Sequence, residues 1–557
     1  MTQIAPLIVP PRDPSQVMRL SRMGSFHAHR LSFMRILLRR AKADGWQFDK
    51  RLFDIDDRGV GRAVYTMHTG SRAYSLVAFA HDLPDHMRSD RVIATAWDAT
   101  FTLFDGIPTA ADLDRLAANI PLQEAGRVTE TELSVSRANR SVRLWAHCVD
   151  RLAQGLQPDP ALIEDVGYLM RTTAVYGSGK LGAADREATA DRPEFTPPFQ
   201  IEMLSVWLTR AFVADLCEHM AKVRNPAAVP FSPKVRRRLG IGNSTGLGMA
   251  PYLINHPILL NNWIAAKEEA LARVRSIAAP TDQDWILFCD LLLRSITLVA
   301  GWKSDHPIQI AKVAQLQTDL DRLQEKTTQS GTQAQGWDAL YLWAERNLGE
   351  DAQELLVSLM LEPYGALVDG LADCMAADES HGARLNGVMT VGALRDNIAR
   401  IYDWALAINW TDPKSDARVW YVSEEKLEPR LGERHAEPVS AYEQPLQPGR
   451  DAARLWAATE GWDPDTTVAA FAVAHPEYRH ILRRVQTAAR FPYAEIHDNT
   501  IDGGMLPIDL LRAKLSFFGA QLFDPRSDRW VRITMFRGAP YPSEIAKADA
   551  EFWGYPA

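Results

Sequence analysis

The sequence predicts a mainly α-helical chain of the α+β class: a multi-helix body with an N-terminal antiparallel β-meander and a small C-terminal α+β unit. Three observations lead there. Between Arg51 and Phe79, three short β-prone runs alternate with turn signals. From Gly106 onward, apolar residues recur at helical spacing in one segment after another. Near the C-terminus a strand-like run, residues 530–536, stands among Pro- and Gly-rich turns. With 557 residues the chain is too long for one ordinary core. Composition shifts divide it into residues 1–105, an N-terminal α/β-meander region, 106–425, a helical body, and 426–557, a C-terminal α+β unit.

Taken in order, Phe26, Leu31, Phe33, Met34, Leu37 and Leu38 predict a helix over 25–43, ended by Gly45. Residues 52–55, 63–67 and 74–79 are then strands, parted by Asp57-Arg58-Gly59 and Thr69-Gly70-Ser71, and 91–94 extends the meander. Helices follow over 110–119, 136–154, 159–176, 201–223, 256–277, 283–299 and 308–326, then 336–344, 352–360 and 391–409. Spans of this length joined by loops suit a bundle. Residues 427–450 hold four prolines and many charges, and read as a linker.

Apolar residues make up 46% and charged residues 24%, which is globular composition. A net charge of −8 argues against nucleic acid as a partner of the whole surface. One stretch departs from that balance: residues 12–42 carry eight basic residues against the single acid Asp13. Such a run is expected as a solvated helix face that pairs with acids elsewhere, the alternative being a polyanion-binding arm. Cys148, Cys217, Cys289 and Cys374 lie far apart in helix-like contexts, as buried free thiols do in a reducing compartment. The chain starts without a basic n-region or long apolar run, and Asp290 and Arg294 interrupt the most apolar helix. No export signal and no membrane span are expected, and the cytoplasm follows.

The densest chemical signal is Arg236-Arg237-Arg238-Leu239-Gly240-Ile241-Gly242-Asn243-Ser244-Thr245-Gly246-Leu247-Gly248. A glycine-rich loop turns its N–H groups toward one point and binds anions when a helix follows, and Pro251 suits a first helical position. Gly242, Asn243, Ser244, Thr245, Gly246 and Gly248 are therefore candidate ligand contacts. Arg137 and Arg140 are predicted on one flank of a helix, and Arg171 on the next helix, which would end at Gly177. Tyr176, Ser178 and Lys180 follow on a flexible stretch. A nearby ammonium lowers a phenol's pKa, so Tyr176 with Lys180 can move a proton.

Residues 242–248 resemble the G-x-x-x-G-x-G loop of short-chain dehydrogenases, and Tyr176-Gly177-Ser178-Gly179-Lys180 resembles their Y-x-x-x-K. The resemblance implies a nicotinamide nucleotide at 240–248 and a Tyr–Lys pair for proton transfer. It is local: the two motifs stand in reverse order, and Lys234–Arg238 is too basic for the buried strand that such a loop requires.

Among histidines, His27 and His29 point apart at helical spacing, and His81-Asp82-Leu83-Pro84-Asp85-His86 is a polar loop without further metal ligands at a recognisable spacing. Glu495-Ile496-His497 has acid–base residue types without a second half. No P-loop, nucleophile elbow, H-E-x-x-H or calcium loop is present. The expectation is an enzyme acting on a small anionic metabolite, carboxylated or phosphorylated, by general acid–base chemistry. Arg137, Arg140, Arg171 and Ser178 would bind, and Tyr176, Lys180 and His256 would handle protons. No metal is expected, no cofactor is assigned, and a homo-oligomer is left open. The alternatives are a non-catalytic helical scaffold or partner-binding protein, and a nicotinamide-type oxidoreductase.

Overall fold

The computed structural model describes residues 9–87, 96–122, 126–174, 186–245, 256–302, 307–376, 384–411, 419–423, 429–431, 441–445, 447–497, 512–524 and 531–548. Helix outweighs strand more than two to one among them, so the class is mainly α with an α+β organisation. Two compact units interleave along the chain. Met1–Phe26, Gly246–Lys514 and Pro525–Val531 form one, and His27–Thr245, Leu515–Asp524 and Arg532–Ala557 form the other.

The second unit begins with α1 (Phe33–Ala43), then strands β1 (Gln47–Ile55), β2 (Gly61–His68), β3 (Ala73–Ala80) and β4 (Ala99–Asp105). The expected meander is there and longer than expected, because β4 lies beyond residues 91–94, which fall outside the described set. Helix α2 (Ala110–Asn119) starts at a capping box, with the Thr109 side chain accepting from Asp112 N–H and the Asp112 carboxylate from Thr109 N–H. Strand β5 (Glu132–Arg140) and α3 (Trp145–Ala153) come next, then α4 (Pro160–Val166) and β6 (Tyr168–Thr172). Two expected helices are corrected here: 136–154 opens as a strand, and 159–176 is a short helix ended by Gly167 and followed by a strand. Gly167 takes the left-handed conformation that closes α4. Tertiary pairing overrides the helical spacing, since β5 is buried on both faces. Val135 packs with Phe79 and Leu116 on the α2 side, and the Ser134 and Ser205 hydroxyls meet at 2.7 Å on the other.

Helix α5 (Gln200–Arg224), α6 (Pro233–Arg238) and β7 (Gly240–Thr245) complete this run. Apolar nearly all round, α5 crosses one face of the sheet from β2 to β7. The loop expected over 240–248 is corrected: its first six residues are strand β7. Arg236, Arg237 and Arg238 occupy the last turn of α6 and pair with Asp215, Glu544 and Glu164.

The first unit contains α7 (Pro257–Arg275), α8 (Asp282–Ala300), α9 (Pro307–Thr328), α10 (Gly336–Asn347) and α11 (Glu350–Met360), packed on one another. A further core gathers Leu394, Ile398, Leu455, Phe471, Leu482 and Val485 from α12 (Val391–Ile401), α13 (Gln447–Ala458), α14 (Val468–Ala474) and α15 (Arg479–Arg490). The stretch expected as a linker carries two of three small strands, in the order β10 (Ala441–Pro445), β8 (Val419–Ser423), β9 (Pro429–Leu431). The helical stretch Glu350–Met375 is apolar enough to cross a membrane by length and composition, yet 61% of its most apolar window is packed inside the protein.

The basic run at 12–42 is solvated only in part, and its expected pairing with acids elsewhere is seen at Arg12 and Arg22. Arg30 and Arg35 are buried, and Arg12 donates at 2.8 Å to both oxygens of Glu268 and at 2.7 Å to Glu354, which also accepts from Lys267 at 2.8 Å. Cys148 and Cys217 are buried as expected, whereas Cys374 is exposed.

The chain returns to its sheet at the end. Strands β11 (Leu522–Asp524) and β12 (Val531–Met535) extend it to the order β1-β2-β3-β4-β5-β6-β7-β12-β11. Every pairing from β1 to β6 is antiparallel, and β6 with β7 is parallel.

Candidate functional site

Three of the residues singled out in the sequence, Arg137, Arg171 and Gly242, lie where β5, β6 and β7 run side by side. Asn139 stands opposite Arg171 in the β5–β6 register, and Arg171 opposite Gly242 in the β6–β7 register. Thr173 continues the row: its N–H donates to the Arg137 carbonyl at 2.9 Å, and Arg137 N–H donates to the Thr173 hydroxyl at 3.2 Å. Opposed residues, and residues two apart on one strand, share a face. Arg137, Asn139, Arg171 and Thr173 therefore occupy one face of the sheet. The Arg137 guanidinium lies 4.0 Å over the ring of Trp97.

Arg140, three residues from Arg137, projects to the opposite face. That overturns the shared helix flank, for which a period of 3.6 had been assumed where the period is two. Arg140 stacks 4.6 Å over Trp145, its N–H donates to Asp98 at 2.9 Å, and its Nε stands 3.5 Å from the same buried carboxylate. Asp98 is fixed in turn, its own N–H donating to Asn139 Oδ1 at 2.9 Å.

The glycines of β7 answer to packing. A Cβ at Gly242 would stand 2.6 Å from the Tyr168 ring, and one at Gly240 would collide with the Met535 carbonyl and the Thr534 methyl. Asn243 bonds the Thr172 carbonyl at 2.9 Å, knitting β7 to β6. Ser244 and Thr245 end the strand. Tyr176, Ser178, Lys180, Gly246 and Gly248 lie outside the described residues. His256 belongs to the other compact unit, where it precedes α7 without giving it a side-chain cap.

Two further residues border this face: His81, expected as part of a polar loop, and Thr100, which lies in no expected element. His81 Nε2 lies 3.1 Å from the Thr100 hydroxyl, and Thr100 stands directly opposite Arg137. Burial pushes the His81 pKa down, opposed by the Asp98 carboxylate. In the β3–β4 register Phe79 stands opposite Thr100, so His81 meets the Thr100 hydroxyl on the diagonal, a contact that no single segment shows.

The other ionic clusters are closed on themselves. Glu354 is held well below the usual carboxylate range: burial opposes this, but Arg12 and Lys267 outweigh it. Arg484 and Tyr402 both bond Glu495, the partner that the Glu495-Ile496-His497 motif lacked. Among the described residues, no group of three or more His, Cys, Asp or Glu is placed to hold a metal ion. No family model, curated protein or solved structure matches this chain.

Proposed function

We propose that the chain is an enzyme that binds a small anionic metabolite, carboxylated or phosphorylated, on the face carrying Arg137, Asn139, Arg171 and Thr173. The observation that carries this reading is the in-register placement of Asn139, Arg171 and Gly242 on three neighbouring strands, with Arg137 flat against Trp97 beside them. A guanidinium stacked on an indole is held in one plane, and its planar fork of donors matches a carboxylate or phosphate, so two such groups on one face suit an oxyanion better than a single point charge. Open sheets bind ligands outside the carboxyl ends of parallel strands, and β6 and β7 are the parallel pair here. Tyr176, Ser178 and Lys180 follow β6 in the chain, and Gly246 and Gly248 follow β7. In this reading Tyr176 with Lys180 moves the proton. Four free thiols suit a reducing compartment, and we place the protein in the cytoplasm.

Thermal-shift and calorimetric titration with sulfate, inorganic phosphate, a sugar phosphate, citrate, oxalate, NAD and NADP tests it. Binding of an acid or phosphate that is lost in Arg171→Gln, with the melting temperature kept, supports the reading. A hit confined to NAD or NADP replaces it with a nucleotide-binding oxidoreductase. Silence across the panel favours a non-catalytic partner-binding protein.

A further inference from the structure

We propose that helix α15 is a docking surface for a DNA duplex, engaged through Arg479, Arg483 and Arg490. The inference is independent of the anion-binding reading and uses a different part of the chain. Residues 479–490 hold four arginines and no acid, in a chain whose net charge is −8. At about 3.6 residues per turn, Arg479, Arg483 and Arg490 fall within a sector of about 40° and span about 16 Å of the helix. All three are exposed. The opposite side of α15 is closed by Ile481, Leu482, Val485 and Ala488, which lie in the core shared with α12, α13 and α14.

Packing gives this row of cations no task. A helix favours acids in its first turn and cations in its last, because its dipole is positive at the N-terminal end. Helix α15 has no acid in its first turn and carries Arg479, His480, Arg483 and Arg484 within its first two turns. Two of these four are tied down. Arg484 donates to Glu495 at 2.8 Å, and His480 Nε2 lies 2.8 Å from the Asp451 carboxylate. Glu477, the acid just before the helix, stands 3.2 Å from His475. Among the described residues, Arg479 and Arg483 meet no carboxylate, and Arg490 lies 5.2 Å over the Phe491 ring. A local rule broken with no compensation inside the fold marks a surface kept for a partner.

The partner's chemistry follows from what surrounds the row. The apolar side of α15 is already spent on its own core, so the helix cannot sink that side into a lipid surface, as a membrane-binding helix must. Helix α15 follows α14 after only four residues, His475-Pro476-Glu477-Tyr478. A connection of that length joins the two helices of a helix-turn-helix, the second of which enters the major groove. Packed rings hold the turn: Phe471 is 4.9 Å from His475 and 5.0 Å from Trp462, and His475 N–H donates to the Phe471 carbonyl at 2.8 Å. The major groove of a DNA duplex, about 12 Å wide, admits an α-helix, whereas that of an RNA duplex is too narrow for side chains to read. The net charge of −8 argues against nucleic acid over the whole surface, and leaves one helix in one groove open. In this arrangement the three arginines neutralise phosphates.

The test is fluorescence anisotropy of a labelled mixed-sequence DNA duplex of about 20 base pairs, titrated with the full chain at about 50 mM and about 200 mM NaCl. Three phosphate contacts predict binding about 40-fold weaker at the higher salt. Arg479→Gln/Arg483→Gln should keep the melting temperature, weaken binding at the lower salt by at least about tenfold, and reduce the salt effect to about fourfold. Arg479→Lys/Arg483→Lys keeps both charges and should keep the salt effect. Arg58→Gln/Arg322→Gln makes the same change in net charge at two exposed arginines elsewhere, and should bind as the wild type does. No duplex binding at the lower salt, or a loss in the Arg58/Arg322 pair equal to that in the Arg479/Arg483 pair, overturns the proposal. Tighter binding of a single strand, an RNA duplex or phosphatidylserine vesicles overturns the DNA duplex as the occupant. Should the glutamine pair lose its melting transition, the wild-type salt effect decides, and a value of about fourfold or less overturns the proposal.

Discussion

Arg12 donates to two carboxylates, Glu268 and Glu354, and Lys267 supplies the second cation of a buried, electrically neutral set. Such a set is strong only when complete, since removing one member strands an uncompensated charge away from water. Arg12→Ala should cost about 3–5 kcal/mol in urea unfolding, whereas a change of the half-exposed Arg143, which pairs with Asp165 at 2.7 Å, should cost under about 1 kcal/mol. The pH sign follows from Glu354, whose folded pKa is depressed. Its contribution is fully present above the ordinary glutamate range, about pH 4.3, and fades as pH falls below it toward the folded value. Acid unfolding of Glu354→Gln should accordingly lose part of the wild-type slope below that pH. A Gly242→Ala variant tests the other residue-scale conclusion. Its methyl meets the Tyr168 ring, so a loss of about 1–3 kcal/mol in stability is expected, whatever happens to ligand binding. Full stability with lost anion binding would restore the ligand as the reason for the glycine.

At the scale of elements, local rules read the chain well where an element carries its own signal. The meander announced itself through period-two runs and turn residues, and α2, α5, α7, α8 and α9 through apolar spacing with caps such as Thr109 and Thr281. Thr281→Ala, which deletes one half of the capping box on α8, should lower stability by about 1 kcal/mol and speed amide exchange in the first turn of that helix. The signal fails where pairing is nonlocal. Residues 132–140 place Leu133 and Val135 on one face and Ser134 and Ser136 on the other, which is a strand's alternation. Val135, Val142 and Trp145 also fit a helical stripe, and nothing nearby arbitrates between the two. The choice is made by β4 and β6, the latter beginning 28 residues past the end of β5 in the chain. The same cause explains the site. Arg137 and Arg171 were legible as candidate anion contacts, though on helices rather than strands. That Asn139 pairs with Arg171, and Thr100 with Arg137, depends on register, which no single segment contains.

At the scale of the whole chain, the sheet begun at Gln47 is not complete until Met535 is made. Strand β12 lies beside β7, and the segment after it reaches back to the middle of α5. The carbonyl of Pro540 accepts from Trp207 Nε1 at 2.8 Å, and that of Ala539 from Arg210 at 2.8 Å. Arg210 is wholly buried and has no carboxylate among its hydrogen-bond acceptors, which are the carbonyls of Leu239, Arg237 and Ala539, and its guanidinium lies 4.0 Å over the Tyr541 ring. Without residues 515–557 this cation would lose the Ala539 acceptor and its aromatic cover while still in the interior, at a cost of several kcal/mol. The edge of β7 would also stand unpaired. Closing contacts this far apart in sequence is slow and comes late, so the sheet unit should be the last part of the chain to become protected in pulsed hydrogen exchange during refolding. A chain ending at Lys514 should retain exchange protection in α7, α8 and α10, whose packing partners lie within Gly246–Lys514, and lose it across β2, β3 and β5. Persistent protection of those strands in the shortened chain would mean that residues 47–245 hold their sheet without the C-terminal strands, and that Arg210 finds its acceptors elsewhere.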